Sequence, residues 1–188
     1  MTVKQIGVTD KDGGSDDAAA ARGSAASGLP SGRFAGRGEF AQIVRDALAC
    51  AAREGWSEII ISDASFEDWP LGERAVAESL QAWSKAGRKF TMLALRYDEV
   101  VRRHARFVSW RRTWAHIVEC RRCALADSLA MPSAIWSPAW ALRRLDLERS
   151  TGMCSSSGDP GHRLRVREDL AEWLRQSTPG FPASTLGL

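Results

Sequence analysis

The sequence predicts an α/β fold: a mixed, mainly parallel sheet flanked by helices. Three stretches carry that prediction. Ile59-Ile60-Ile61 and Phe90–Leu95 are apolar runs too short to be helices of their own, and they suit strands buried on both faces. Between them Val76, Leu80 and Trp83 fall on one helical stripe, so strand, helix and strand form a right-handed crossover unit.

The other elements follow in order. Phe40, Ile43, Val44, Ala47, Leu48 and Ala51 mark a helix that Gly55 stops. After the second apolar run, Tyr97, Val100, Val101, His104 and Val108 continue as helix, with Trp110, Trp114 and Ile117 extending or bending it. Ile117–Arg122 reads as a third strand. Ser133–Trp136 and Ala139–Leu142, on either side of Ser137-Pro138, read as a hairpin. Residues 150–161 are expected to be a loop. A last helix over Val166–Gln176 is closed off by Pro179.

With 188 residues and 44% hydrophobic content, the chain can bury one core. Residues 1–36 are Gly, Ala, Ser and Asp with almost no large apolar side chain, so they are expected to be a disordered tail that folding can spare. Residues 37–188 are then a single α/β domain. No run approaches the roughly 20 apolar residues that span a bilayer, and the start shows no secretory core, so a cytoplasmic protein is expected. Four cysteines over this length suit reduced thiols rather than a disulfide framework.

Charge is uneven. Residues 97–122 hold seven arginines against Asp98, Glu99 and Glu119, a local +4 in a chain of net +3. Arg102, Arg103, Arg106, Arg111 and Arg112, interleaved with Trp110 and Trp114, form a candidate anion-binding segment. Guanidinium groups bind phosphate and carboxylate bidentately, and tryptophans offer stacking faces. The alternative is an amphipathic helix with a solvated arginine face. Asp63, with Glu67 and Asp68, sits on a loop at a strand's carboxyl end, where open α/β sheets place ligands. Asp63, His104 and His116 are therefore the weak catalytic candidates, and Asp68 is also placed to cap the next helix. Cys120-Arg-Arg-Cys123 lacks a second ligand pair, so structural thiols are the reading and a redox or metal role stays open. No metal or cofactor is expected.

From Arg37 onward, the order strand, helix, strand, helix, strand, hairpin, helix resembles one half of the phospholipase D-like fold. The closing Trp173–Leu188 resembles the tail of uncharacterised bacterial domains of that fold. Active members carry His-x-Lys-x4-Asp at the start of the hairpin, and two copies meet to build one site. Here the corresponding Ala130–Trp136 has neither histidine nor lysine. His104-Ala-Arg106 matches only loosely, with Arg111 where the acid belongs, and Val118 stands two places after His116. The resemblance implies the fold, a dimer and a degenerate anion-binding cleft, without the nucleophile. Three readings result. The first is a non-catalytic domain binding a nucleic acid or another phosphate-bearing or acidic partner. The second is an enzyme of unrecognised type around Asp63. The third is a homodimeric interaction module using exposed tryptophans.

Overall fold

The structure, a computed structural model, describes residues 28–123, 130–155 and 159–183. An eight-stranded sheet runs in the order β1-β7-β6-β5-β2-β3-β4-β8. Its strands are β1 (Gly32–Ala35), β2 (Glu58–Asp63), β3 (Lys89–Ala94), β4 (Val118–Arg122), β5 (Ala134–Trp136), β6 (Ala141–Asp146), β7 (Thr151–Cys154) and β8 (Thr178–Pro179). The helices among the described residues are α1 (Arg37–Glu54), α2 (Arg74–Trp83), α3 (Asp98–Arg103), α4 (Ala105–Thr113) and α5 (Pro160–Gln176), with a 3-10 turn at Pro70–Gly72.

The triple isoleucine works as its pattern suggested. Ile59 and Ile61 enter the large core beneath α1 to α4, while Ile60 points the other way, to Val166 and Leu170 of α5. Helices thus cover both faces, and a strand of period two with no polar position is what such a sheet needs. Gly55 ends α1 in the left-handed region (φ 72°) and returns its N–H to the Ala51 carbonyl.

The sheet is not mainly parallel. Only β2–β3 and β3–β4 pair in parallel, and every other pairing among the described residues is antiparallel. The physical reason lies in β5, which docks antiparallel on β2 and brings β6 and β7 with it. The short β5 is as apolar and nearly as buried as β2 and β3, so burial alone cannot reveal its direction.

Three local expectations also change. The segment 150–161 contains β7, which lies between β1 and β6. Gly152 hid this strand: a Cβ there would collide with the Arg143 carbonyl and the Phe34 ring, so glycine marks close approach rather than a loop. The helix after β3 breaks at His104 into α3 and α4, and α5 starts earlier than expected, at Pro160 behind the Asp159 cap. Of the expected tail, residues 1–27 lie outside the described residues. The ordered region nevertheless begins before Arg37, because β1 pairs with β7 and Phe34 is buried in the main core.

Phe34 stacks on Phe40 at 6.2 Å and closes the β7 end of the core. Replacing it with alanine is expected to cost about 3 kcal/mol, the usual range for a buried phenylalanine. A guanidinium chloride unfolding curve of Phe34→Ala checks this, and an unchanged midpoint would place β1 outside the cooperative unit.

Candidate functional site

A concavity built from charged side chains lies at the carboxyl end of β2. It is an open cleft of about 470 Å³ lined by Arg37, Asp63, Ser65, Glu67, Asp68, Arg103, Arg144 and Leu147, among others. Its floor is built on Arg144, which β6 alternation turns inward beside Leu142. The Arg144 side chain is 3% exposed. Its two terminal nitrogens bond the two Asp68 oxygens at 2.9 and 2.8 Å, and one also reaches the Leu147 carbonyl. Its plane lies 4.4 Å over the Phe40 ring, and Asp63 Oδ2 stands 4.0 Å away.

The carboxylates of the cleft are already engaged. Asp63 Oδ1 accepts the backbone N–H groups of Ser65 and Phe66, closing a tight turn that holds Phe66 at φ 60°. Asp68 is spent on Arg144, and it does not cap the following helix. Glu67 binds Arg103 at 3.0 Å. Arg37, exposed at the start of α1, has no hydrogen bond or ion pair among the described residues.

The three catalytic candidates do not converge. His104 is buried beneath this loop, with Nε2 2.8 Å from the Phe66 carbonyl. Burial holds its imidazole below the usual value, with only partial compensation from that bond. His116 lies two residues before β4, at the amino end of the parallel strands, since Val118 aligns with Phe90 and Ile59. Asp63 aligns with Ala94 and Arg122 at the opposite end. Six residues of strand at ~3.3 Å each separate those levels by about 20 Å.

The arginine–tryptophan segment is not gathered on one surface either. Trp110 is core, donating to Ser84 Oγ at 2.9 Å, and Trp114 is half-buried with its N–H on Gln81. Arg111 is 5% exposed. It is held by Cys120 Sγ at 3.0 Å and by the carbonyls of Phe181 and Pro182. Arg102 pairs with Glu99, Arg106 caps the Gly72 carbonyl, and Arg112 is exposed on α4. Only Arg103 of this set lines the cleft. Cys120 and Cys123 face opposite sides of the sheet, one under α4 and one with Leu93 and Met131, so they do not form one site. Burial pushes both thiols up.

Sequence reasoning missed Arg37 and Arg144. Arg144 had a readable signal, the inward alternation Leu142-x-Arg144, but its partner lies 76 residues away. Among the described residues no cluster of three or more His, Cys, Asp or Glu is arranged to hold a metal, and no helix is long and apolar enough to cross a membrane.

Two outcomes test this geometry. Asp68→Asn removes the carboxylate that the buried Arg144 bonds twice, leaving Asp63 at 4.0 Å as the remaining counter-charge, and is expected to lower stability by up to about 3 kcal/mol, read from denaturant unfolding. For His104 the folded pKa lies below the unfolded value of about 6.5, so the unfolded chain binds more protons in acid. Its contribution is complete above that pH and is lost as pH falls toward the folded value. Melting curves taken downward from neutral pH should show a declining midpoint, with a shallower decline in His104→Gln. The remaining slope belongs to His162, also depressed by burial, and to Glu73, held low by its bond to Arg45.

No family model matches the chain, and no curated protein matches it. Among solved structures it is similar to TrmBL2, an archaeal chromatin protein whose structure is described as showing a novel mode of DNA binding. The TM-score is 0.57 at 14% identity, over 81% of this chain and 55% of that one. The chain therefore spans about half of that protein's length, and the likeness is one of fold.

Proposed function

We propose that the chain is a non-catalytic α/β domain, of the phospholipase D-like half type, that binds a phosphate-bearing or acidic partner. A nucleic acid strand is the partner to test first. The observation that carries this reading is the cleft at the carboxyl end of β2. There Arg37 is exposed with no ion pair among the described residues, and the half-exposed Arg103 lines the open side while held by Glu67 and Glu99; Asp63 and Asp68 are engaged by the protein itself. Exposed Arg96 and Arg122 follow the carboxyl ends of β3 and β4, and Arg122 reaches back over β3 to the Leu95 carbonyl. Of these two, Arg96 extends the cationic rim along the parallel half of the sheet, while Arg122 is committed to that carbonyl.

The absence of the His-x-Lys-x4-Asp signature supports the non-catalytic part. So does the geometry: Asp63 is tied into its own turn, His104 is held by a backbone carbonyl, and His116 sits at the far end of the sheet. The structural likeness to a DNA-binding chromatin protein favours nucleic acid among phosphate-bearing partners. Six charged side chains line the cleft, three of each sign, so attraction there is local and modest. Micromolar or weaker non-specific binding with marked salt dependence is the expected regime.

Binding of a fluorescent single-stranded oligonucleotide, titrated at low and moderate salt, tests the reading. The Arg37→Ala/Arg103→Ala variant should bind more weakly, and its log–log salt slope should be shallower by about 0.7 for each phosphate no longer neutralised. Arg112→Ala should bind as wild type, because α4 carries Arg112 toward the other end of the sheet. Loss of binding in Arg112→Ala alone would return the interface to the arginine–tryptophan segment. No binding by wild type at low salt would remove the polyanion reading altogether.

A further inference from the structure

Beyond β4 the sheet ends in the very short β8. One side of β4 is fully paired with β3 over five residues, while among the described residues the other side meets only the two-residue β8. The Ile117 carbonyl accepts from Phe90 N–H and the Cys123 N–H donates to Ala94, so alternation turns the main-chain groups of Val118, Cys120 and Arg122 outward. At that edge the Cys120 carbonyl accepts the Gly180 N–H at 2.9 Å, and the Arg122 carbonyl accepts the Thr178 hydroxyl at 3.5 Å.

What holds this C-terminal strap, residues 177–182, is narrow and largely polar. Arg121 donates to Ser177 Oγ at 2.9 Å, and Arg111 donates to the Phe181 and Pro182 carbonyls. The Phe181 ring lies on Tyr97 at 4.9 Å and 18°, with the Arg111 guanidinium 4.3 Å from its centre. Phe181 itself sits at φ 46°, where a side chain other than glycine is strained. An edge strand covered by so short a segment is a latent template for another strand.

We propose that the β4 edge is a docking edge for a second copy of this chain, and that the strap keeps it shut. With the strap lifted, two copies pair β4 against β4 in antiparallel, centred on Cys120. That register is self-complementary. Val118, Cys120 and Arg122, the residues whose main-chain groups point outward, fall opposite Arg122, Cys120 and Val118 of the second copy, as hydrogen-bonded pairs. Glu119 then faces Arg121 of the second copy in a closely spaced pair, and the two-fold axis makes this contact twice. Within one chain the same two side chains are already 3.5 Å apart, so both lie on one face of the strand and are available to cross the seam.

The experiment measures molar mass by light scattering across a concentration series. Gly180→Pro removes the N–H that Cys120 accepts and drives a Cβ into Arg122, and Phe181→Ala removes the anchor ring. The double variant should dimerise with an apparent dissociation constant lower than wild type by about ten-fold or more, because a closed strap reduces apparent affinity by the fraction of open chains. Adding Glu119→Arg should return it to monomer. Combining Glu119→Arg with Arg121→Glu should restore the dimer, a rescue that a merely structural role would not produce. If the double variant fails to fold, Phe181→Ala alone, which keeps the strap's backbone hydrogen bond, should tighten association to a smaller degree. A folded variant that stays monomeric, or a dimer indifferent to Glu119→Arg, overturns the proposal.

Discussion

One buried guanidinium joins most of the parts that matter here. Arg144 belongs to β6, bonds Asp68 on the loop after β2, stacks on Phe40 of α1 and holds the Leu147 carbonyl of the next turn. Without it, two like-charged carboxylates, Asp63 and Asp68, would lose the buried cation that both approach. A pair this dry stabilises little by itself, since desolvation offsets much of the attraction, but losing either partner leaves an uncompensated charge. Its structural effect is therefore to fix one arrangement of the loop. That loop in turn decides what the cleft can do.

The direction of the parallel strands sets the second limit. Residues at the carboxyl ends of β2, β3 and β4 share one rim, and those before β4 lie across the sheet. Asp63 and His116 are excluded from common chemistry by this alone, whatever their side chains could do in isolation. His104 stays on the right side of the sheet but beneath the rim, where its ring braces the left-handed Phe66 turn instead of facing solvent. The same direction sorts the arginines: Arg103 rises at the rim, while Arg112 leaves it with α4.

Much of this was legible in the residues and some could not be. The apolar runs at Ile59–Ile61 and Phe90–Leu95, the α1 stripe and the hairpin around Ser137-Pro138 are local patterns, and they appear where their periods put them. β1 and β7 are four-residue strands of mixed composition, GRFA and TGMC, whose burial depends on each other and on Gly152. No local window contains that information. The direction of β5 was equally hidden, because its three residues are as apolar as those of β2 and β3. Arg111 is different: it falls with Phe107, Trp110 and Trp114 on one i, i+3, i+4, i+7 stripe, so its inward position was available from spacing. Charge type outweighed period in that reading, and the structure favours period.

The arginine content can then be understood without a large anion site. Arg88 donates to the Trp83 carbonyl, Arg106 to Gly72, Arg111 to Phe181 and Pro182, and Arg122 to Leu95. These acceptors sit where helices, turns and strands end and main-chain carbonyls lack a repeating partner. A guanidinium suits such places because its several donors serve two or three carbonyls at once, and its apolar stem covers the surface beneath. Such arginines raise the net charge without being free to meet a ligand. A basic isoelectric point in this chain therefore reports loop and strand termination as much as partner chemistry. What is left for a partner is the smaller set whose donors are not so committed, and Arg37 on the open side of the cleft is the clearest of them.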